Sequence, residues 1–317
     1  MLTFFSSLRL SALGSALPGN VSQGLIWGVM ALGVFITFKL LDFADLTVDG
    51  SMATGGCVTV MLILAGTNPI LTMLAAFGAG IAAGLATGLL NTKLGIPDIL
   101  SGILVQLSLY SVNLRILGGK ANQAVSVDRY SLLISSRSIG HAIAVCLIIV
   151  AVLITLMYWY FGTEQGCAIR ATGCNEKMAR AQGIHTGRMK VLALALSNGI
   201  VALSGGLLAQ YQGFADVSMG RGSIVIGLAA VIIGEVLCKS LFRRPVSFSV
   251  RMAFIALGGI IYYIVIGVVL WLRMPTNDMK LFSAVIVALF LAIPYLKQKR
   301  RPHIRKTAKE TEVSRNA

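Results

Sequence analysis

The run Ile139-Gly140-His141-Ala142-Ile143-Ala144-Val145-Cys146-Leu147-Ile148-Ile149-Val150-Ala151-Val152-Leu153-Ile154-Thr155-Leu156-Met157-Tyr158-Trp159-Tyr160-Phe161 contains no Asp, Glu, Lys or Arg. Wound as an α-helix at about 1.5 Å per residue, it covers the ~30 Å hydrocarbon core of a bilayer. Its apolar residues are continuous instead of alternating, which argues for a membrane helix and against a β-barrel strand. Runs of the same kind occupy residues 20–41, 52–67, 70–91, 97–117, 189–211, 222–241, 248–272 and 279–296. Together they predict an all-α polytopic membrane protein of about nine spans. The second run is short and Gly-rich and the seventh holds Glu235, so these two are the candidates for broken or re-entrant helices.

Composition agrees. The 317 residues are 56% hydrophobic and 12% charged, with a mean hydropathy of +0.82. A soluble domain of this length needs a charged surface and cannot hide so much apolar area. Much of the formal charge of +15 sits after the last apolar run, from Lys297 to Arg315. A basic cluster there reads as a cytoplasmic flank beside anionic lipid and not as a nucleic-acid surface. Residues 1–19 read as a short lead-in of interfacial type, 20–296 as the membrane domain and 297–317 as a basic tail. With the tail cytoplasmic, alternating spans put 19 Lys and Arg inside and 8 outside, the bias expected of that orientation. The five cysteines fit neither a disulfide framework nor a zinc spacing.

An internal echo follows the first and sixth runs. Phe43-Ala44-Asp45-Leu46-Thr47-Val48-Asp49-Gly50-Ser51 and Phe214-Ala215-Asp216-Val217-Ser218-Met219-Gly220-Arg221-Gly222 both begin Phe-Ala-Asp and lead through Gly into another span. The two copies fall near opposite membrane faces, as in inverted repeats that enclose a midplane pathway.

The longest polar insertion between spans is residues 163–184. Asn175 is a good N-cap, Glu176 follows in the first turn, and Gly183 is a stop signal. Two short helices hinged at Gly173 are predicted, lying at the cytoplasmic surface, with small residues that let the second enter a groove on a partner. A mere link needs only a handful of residues.

The pattern Gly166-x-Ala168-x-Arg170-Ala171-Thr172-Gly173-x-Asn175-x-x-Met178-Ala179-x-x-x-Gly183-Ile184 resembles the coupling-helix segment of ABC importer permeases of the branched-chain amino acid and ribose type. Leu46-Thr47-Val48-Asp49-Gly50-Ser51 resembles the Asp-Leu-Ser-x-Gly-type element of that family, and Asn113 to Asn122 looks like its tryptophan or tyrosine subgroup. The resemblance covers residues 20–296. It implies that 164–184 docks on an ABC ATPase subunit through Arg170, Ala171, Gly173, Asn175, Met178, Ala179, Gly183 and Ile184. It further implies an extracytoplasmic solute-binding protein, a homodimer of permeases, and a place in the bacterial plasma membrane. Gly234-Glu235 departs from the Gly-Gly pair often found at that position.

Carboxylates in apolar chain are costly, at least ~2.5 kcal/mol at the bilayer centre, so they normally face a bundle interior or a water-filled cavity. Asp49 and Glu235 are the first candidates to line the translocation path or brace its helices, with Gly50, Ser51 and Asn198 beside them. The competing reading makes the carboxylates interfacial groups or helix caps. Asn198 and Gln106 equally serve as hydrogen-bonding glue between helices. Asp45 and Asp216 rank lower. Gly80, Gly84 and Gly88 form a stripe for close helix packing, and Trp159 and Trp271 fit an aromatic belt.

No P-loop signature occurs, and His141, His185 and His303 form no metal or catalytic spacing, so an enzyme with its own ATPase site, cofactor or metal is not expected. Two function classes remain. One is the importer permease, carrying a small polar solute such as an aromatic amino acid. The other is an ion-gradient-driven secondary transporter, which has no use for the long capped cytoplasmic segment.

Overall fold

The computed structural model describes residues 10–127, 129–242 and 246–271, with a few isolated helical positions between 281 and 292. The expected ninth span, 279–296, and the tail, 297–317, otherwise lie outside the described residues. Ten α-helices carry the chain: α1 (Leu10–Phe35), α2 (Thr47–Leu64), α3 (Pro69–Leu94), α4 (Asp98–Ile116), α5 (Ile139–Gly162), α6 (Glu164–Cys174), α7 (Glu176–Ala181), α8 (Thr186–Gln212), α9 (Ser223–Leu241) and α10 (Phe248–Trp271). Among the described residues, eight of these are long and apolar enough to cross a membrane. Short strands β1 (Asn122–Ala124) and β2 (Phe214–Asp216) pair antiparallel.

Most expected spans fall within a few residues of the observed helices. α2 starts five residues before its expected position, because the Asp45 carboxylate accepts from the Thr47 amide at 2.9 Å and organises the first turn early. Both α2 and α9 are continuous helices. The irregularity lies instead at the end of α1, which widens into a π-turn over Ile36–Leu41 and stops at Asp42 with φ 56°. A short polar side chain tolerates this left-handed conformation better than a branched one. Residues 10–19 continue α1 through Pro18 and form no separate lead-in element.

Packing follows the glycines. The stripe on α3 lies along α8: a Cβ on Gly80 would collide with the Asn198 carbonyl, one on Gly84 with that of Leu194, and one on Gly88 with the backbone of Val191. α10 does the same in the other half, with Gly258 against Ala230 of α9 and Gly259 against Gly24 of α1. The two most extensive helix pairs are accordingly α3 with α8 and α10 with α1. If α8, α9 and α10 repeat α1, α2 and α3, these two contacts are the same contact made reciprocally, which agrees with the inverted repeat.

The two Phe-Ala-Asp elements also fold alike. Asp45 Oδ1 accepts from Thr47 N, and Asp216 Oδ1 accepts from Ser218 N at 2.6 Å, each two residues onward. Trp27 is not at an interface. It is buried and stacks on Tyr263 with ring centroids 5.7 Å apart. Trp159, in contrast, is exposed. Exposed leucines and isoleucines on α3, α4 and α5 supply the apolar outer faces that a bilayer or a partner chain covers.

Candidate functional site

The α6–α7 segment and the β1–β2 pair sit at opposite ends of the bundle, because the 27-residue helix α8 runs directly from one to the other, about 40 Å. Between them lie three polar constellations.

The deepest is at the elbow between α1 and α2. Asp45 is buried, and its second carboxylate oxygen accepts from Asn198 Nδ2 at 2.7 Å. Asn198 Oδ1 accepts from Ser51 Oγ at 2.6 Å, and its amide also donates to the Leu194 carbonyl at 3.0 Å. Beside this set, the hydroxyls of Thr47 and Thr87 meet at 2.7 Å. Every polar atom of Asn198 is engaged, so this cluster joins α8 to the α1–α2 elbow and to α3.

Asp49 lies one turn further along α2. Its carboxylate accepts from Gly222 N at 2.7 Å, from Ser223 Oγ at 2.9 Å and from Ile224 N at 2.9 Å. The two amides are orphan donors at the start of α9, whose own N-cap residue, Gly222, has no side chain to offer. One half of the molecule thus caps a helix of the other, with the charge placed at the favourable end of the dipole. Gly220 is required here, since a Cβ would strike the Asp49 carbonyl.

Asp49 and Gly50 also form one wall of a cavity of about 300 Å³, whose other walls include Gln106, Tyr110 and Asn113 of α4 with Ser218 and Arg221 before α9. The three α4 residues are spaced i, i+4 and i+7, so they share one face of the helix. That spacing is visible in the sequence and would have found Tyr110 and Asn113. Ser51 and Asn198 are not part of this wall.

Glu235 has a different setting. It pairs with Arg251 of α10, with Lys239 at 3.6 Å and with Lys39 of the π-turn at 3.8 Å. Three cations from three elements therefore converge on one carboxylate, at the end of α1, α9 and α10 nearest α6.

The segment 164–184 has the expected capped form with one correction. Asn175 Oδ1 accepts from Met178 N at 3.0 Å and opens α7, and Gly183 closes it with φ +81°. The break between the short helices is at Asn175. Gly173 is not the hinge but lies within α6, where a Cβ would collide with the Leu40 carbonyl of the π-turn. Arg170 Nη2 donates to the Phe161 carbonyl at 3.0 Å and so caps the end of α5. Glu176 binds Lys190 at 2.8 Å, Arg180 at 3.1 Å and the Thr186 hydroxyl at 3.2 Å, fastening α7 to α8. The Lys190 hydrogen bond is the largest influence holding the Glu176 carboxyl below its ordinary value. Ala179 is buried against its own chain, while Met178 is 63% exposed. Ala171 and Ile184 are half-buried.

A membrane-length helical bundle with a capped helix pair fastened at one end and a polar cavity toward the other is the arrangement expected of a transport permease. The chain matches the permease component of branched-chain amino acid transport systems over residues 19–294, and it belongs to that family. It is 38% identical to the tyrosine transport system permease protein of Clostridioides difficile strain R20291, across 88% of this chain and 91% of that one. It is 33% identical to the autoinducer 2 import system permease protein LsrC of Yersinia pseudotuberculosis over 55% of this chain and 49% of the relative. The galactofuranose transporter permease protein YtfT of Escherichia coli is 29% identical over 48% of this chain and 44% of its own. No solved structure matches the chain.

Proposed function

We propose that this permease subunit imports an aromatic amino acid, with coupling to an ABC ATPase through α6 and α7. The observation that carries the reading is the fastening of these two short helices to the spans. α7 is tied to α8 through Glu176 and Lys190, and α6 is pressed through Gly173 against the π-turn of α1. A force on the exposed face of α7, around Met178 and Lys177, is thereby delivered to α8. Asn198 passes it to Asp45 and Ser51, and Asp49 passes it from α2 to α9. The membrane chain then favours different path geometries in the two nucleotide states of the ATPase.

In this reading the coupling segment and the basic tail are cytoplasmic, the β1–β2 end faces the extracytoplasmic binding protein, and two copies of the chain form the channel. The excess of Lys and Arg assigned to the cytoplasmic side supports the orientation. The preference for an aromatic amino acid rests on the tyrosine permease of Clostridioides difficile.

The test is co-purification with the ATPase encoded beside this chain, repeated with Met178→Asp at the exposed face of α7. Stable association that the substitution abolishes, together with ATP-dependent tyrosine uptake when the binding protein is added, is the expected result. Failure to associate, with uptake that follows an ion gradient instead, overturns the reading.

A further inference from the structure

The cavity beside Asp49 holds a feature that the fold does not explain. Asn113 is 1% exposed, and neither its amide nitrogen nor its carbonyl oxygen has a hydrogen-bond partner. An amide buried without partners is destabilising, and native proteins retain one where something polar comes to it. Its neighbours around the cavity make a chemically selective set. Arg221 is exposed, and among the described residues no carboxylate pairs with its guanidinium. Asp49 Oδ1 takes two of the three hydrogen bonds from α9 and Oδ2 only one, which leaves an acceptor position on Oδ2. Tyr110 adds an aromatic ring that is 48% exposed, and Gln106 a second amide.

We propose that this cavity is a recognition site for a free α-amino acid within the permease itself. Arg221 and the Asn113 amide hold the carboxylate, Asp49 receives the ammonium group, and Tyr110 packs on the side chain. One cation, one anion and one ring around about 300 Å³ match a zwitterion with an apolar or aromatic side chain. Neither a sugar nor a nucleoside uses both charges. The Val217 amide bonded to the Ala121 carbonyl at 3.0 Å ties the cavity to the β1–β2 end, opposite the coupling segment. The inference rests on the importer reading above, and it places solute selection in the permease in addition to any binding protein.

The test uses the permease–ATPase complex in lipid nanodiscs without a binding protein, and three probes: L-tyrosine, tyramine, which lacks the carboxylate, and 3-(4-hydroxyphenyl)propionate, which lacks the ammonium. Saturable tyrosine binding is expected, at least about 10-fold tighter than either truncated probe, a factor worth about 1.4 kcal/mol. Arg221→Gln should erase the preference for tyrosine over tyramine while leaving ATPase association intact. Asn113→Leu should weaken tyrosine binding by a similar factor. Should that buried substitution prevent folding, Arg221→Gln and Tyr110→Leu still decide the matter, because both side chains are exposed. Binding of tyramine as tight as that of tyrosine overturns the proposal. So does a complex that imports tyrosine with its binding protein yet binds none alone, an outcome that leaves the importer function standing. Loss of both import and ATPase association strikes the importer reading itself.

Discussion

Asp45 and Asn198, 153 positions apart in the chain, share a hydrogen bond of 2.7 Å in the interior of the bundle. The carboxylate belongs to the elbow between two helices of the first half, and the amide to a helix of the second. Because Asn198 also receives the Ser51 hydroxyl, it cannot be removed without stranding a buried carboxyl group and a hydroxyl together.

Asn198→Leu should therefore lower stability by roughly 3 kcal/mol, at the upper end of the range for unpaired buried polar groups. Ser51→Ala removes a single hydroxyl and should cost about 1 kcal/mol. Heating in detergent followed by size-exclusion chromatography gives an apparent melting temperature for each variant, and equal drops would refute the hierarchy.

Gly84→Ala places a Cβ against the Leu194 carbonyl, whereas Gly78→Ala, on the same helix, meets nothing within 4 Å. The first should reduce the yield of folded protein sharply. The second should be neutral or stabilising, since alanine is the better helix former by about 1 kcal/mol. Expression as a fluorescent fusion, scored for monodispersity, separates them.

Asp49→Ala uncaps α9 across the repeat. A lost cap costs about 0.5–2 kcal/mol, and the effect should be confined to the start of that helix. Hydrogen exchange should accelerate at Gly222 and Ile224, the amides Asp49 holds, with little change in α5. Uniform acceleration throughout the bundle would contradict a local capping role.

Met178→Asp and Ala179→Trp should fail in different ways. Met178 is exposed, so the acidic variant should keep its melting temperature and lose ATPase association. Ala179 is 4% exposed, so tryptophan there should dislodge α7 and lower the melting temperature as well. Identical behaviour of the two would deny α7 an outward docking face.

The Glu176 carboxyl, held below its ordinary value by Lys190, makes α7 acid-labile. The sign follows from linkage: a depressed folded-state pKa contributes stability that is complete above the unfolded value and lost as pH falls through the folded one. Exchange protection of α7 should be constant above the ordinary carboxyl value of 4.5 and decline below it. Glu176→Gln should have weaker protection throughout and no such decline.

Much of this architecture is legible in the chain. The spans announce themselves because a membrane helix is apolar all round, and the stripe Gly80, Gly84, Gly88 is visible because helical contacts recur every four residues. The cap at Asn175 and the stop at Gly183 are local, so the sequence carries them too. What stays hidden is pairing across the two halves. Nothing near Asp49 indicates that its partners are Gly222 to Ile224, and nothing near Glu235 names Lys39 or Arg251. Asp45 ranked below Asp49 as a candidate because burial is a tertiary property, although its place in the repeated Phe-Ala-Asp was the clue. Gly173 reads as a hinge from its residue type, but the backbone of Leu40 uses it as a place to rest.

The glycine contacts also set the terms of divergence for this chain. Where α3 meets α8 and α10 meets α1, backbone lies against backbone, and at Gly84 or Gly258 even a methyl group is too large. Such seams offer natural selection almost no variants to sample. The outward faces of α4 and α5, where Leu100, Leu104, Ile148 and Val152 are exposed, accept any greasy residue where lipid covers them. Mutational scanning should therefore draw a map with two textures, immobile along the seams and free on the rim. New transport specificities would arise by substitution around a scaffold that cannot itself drift.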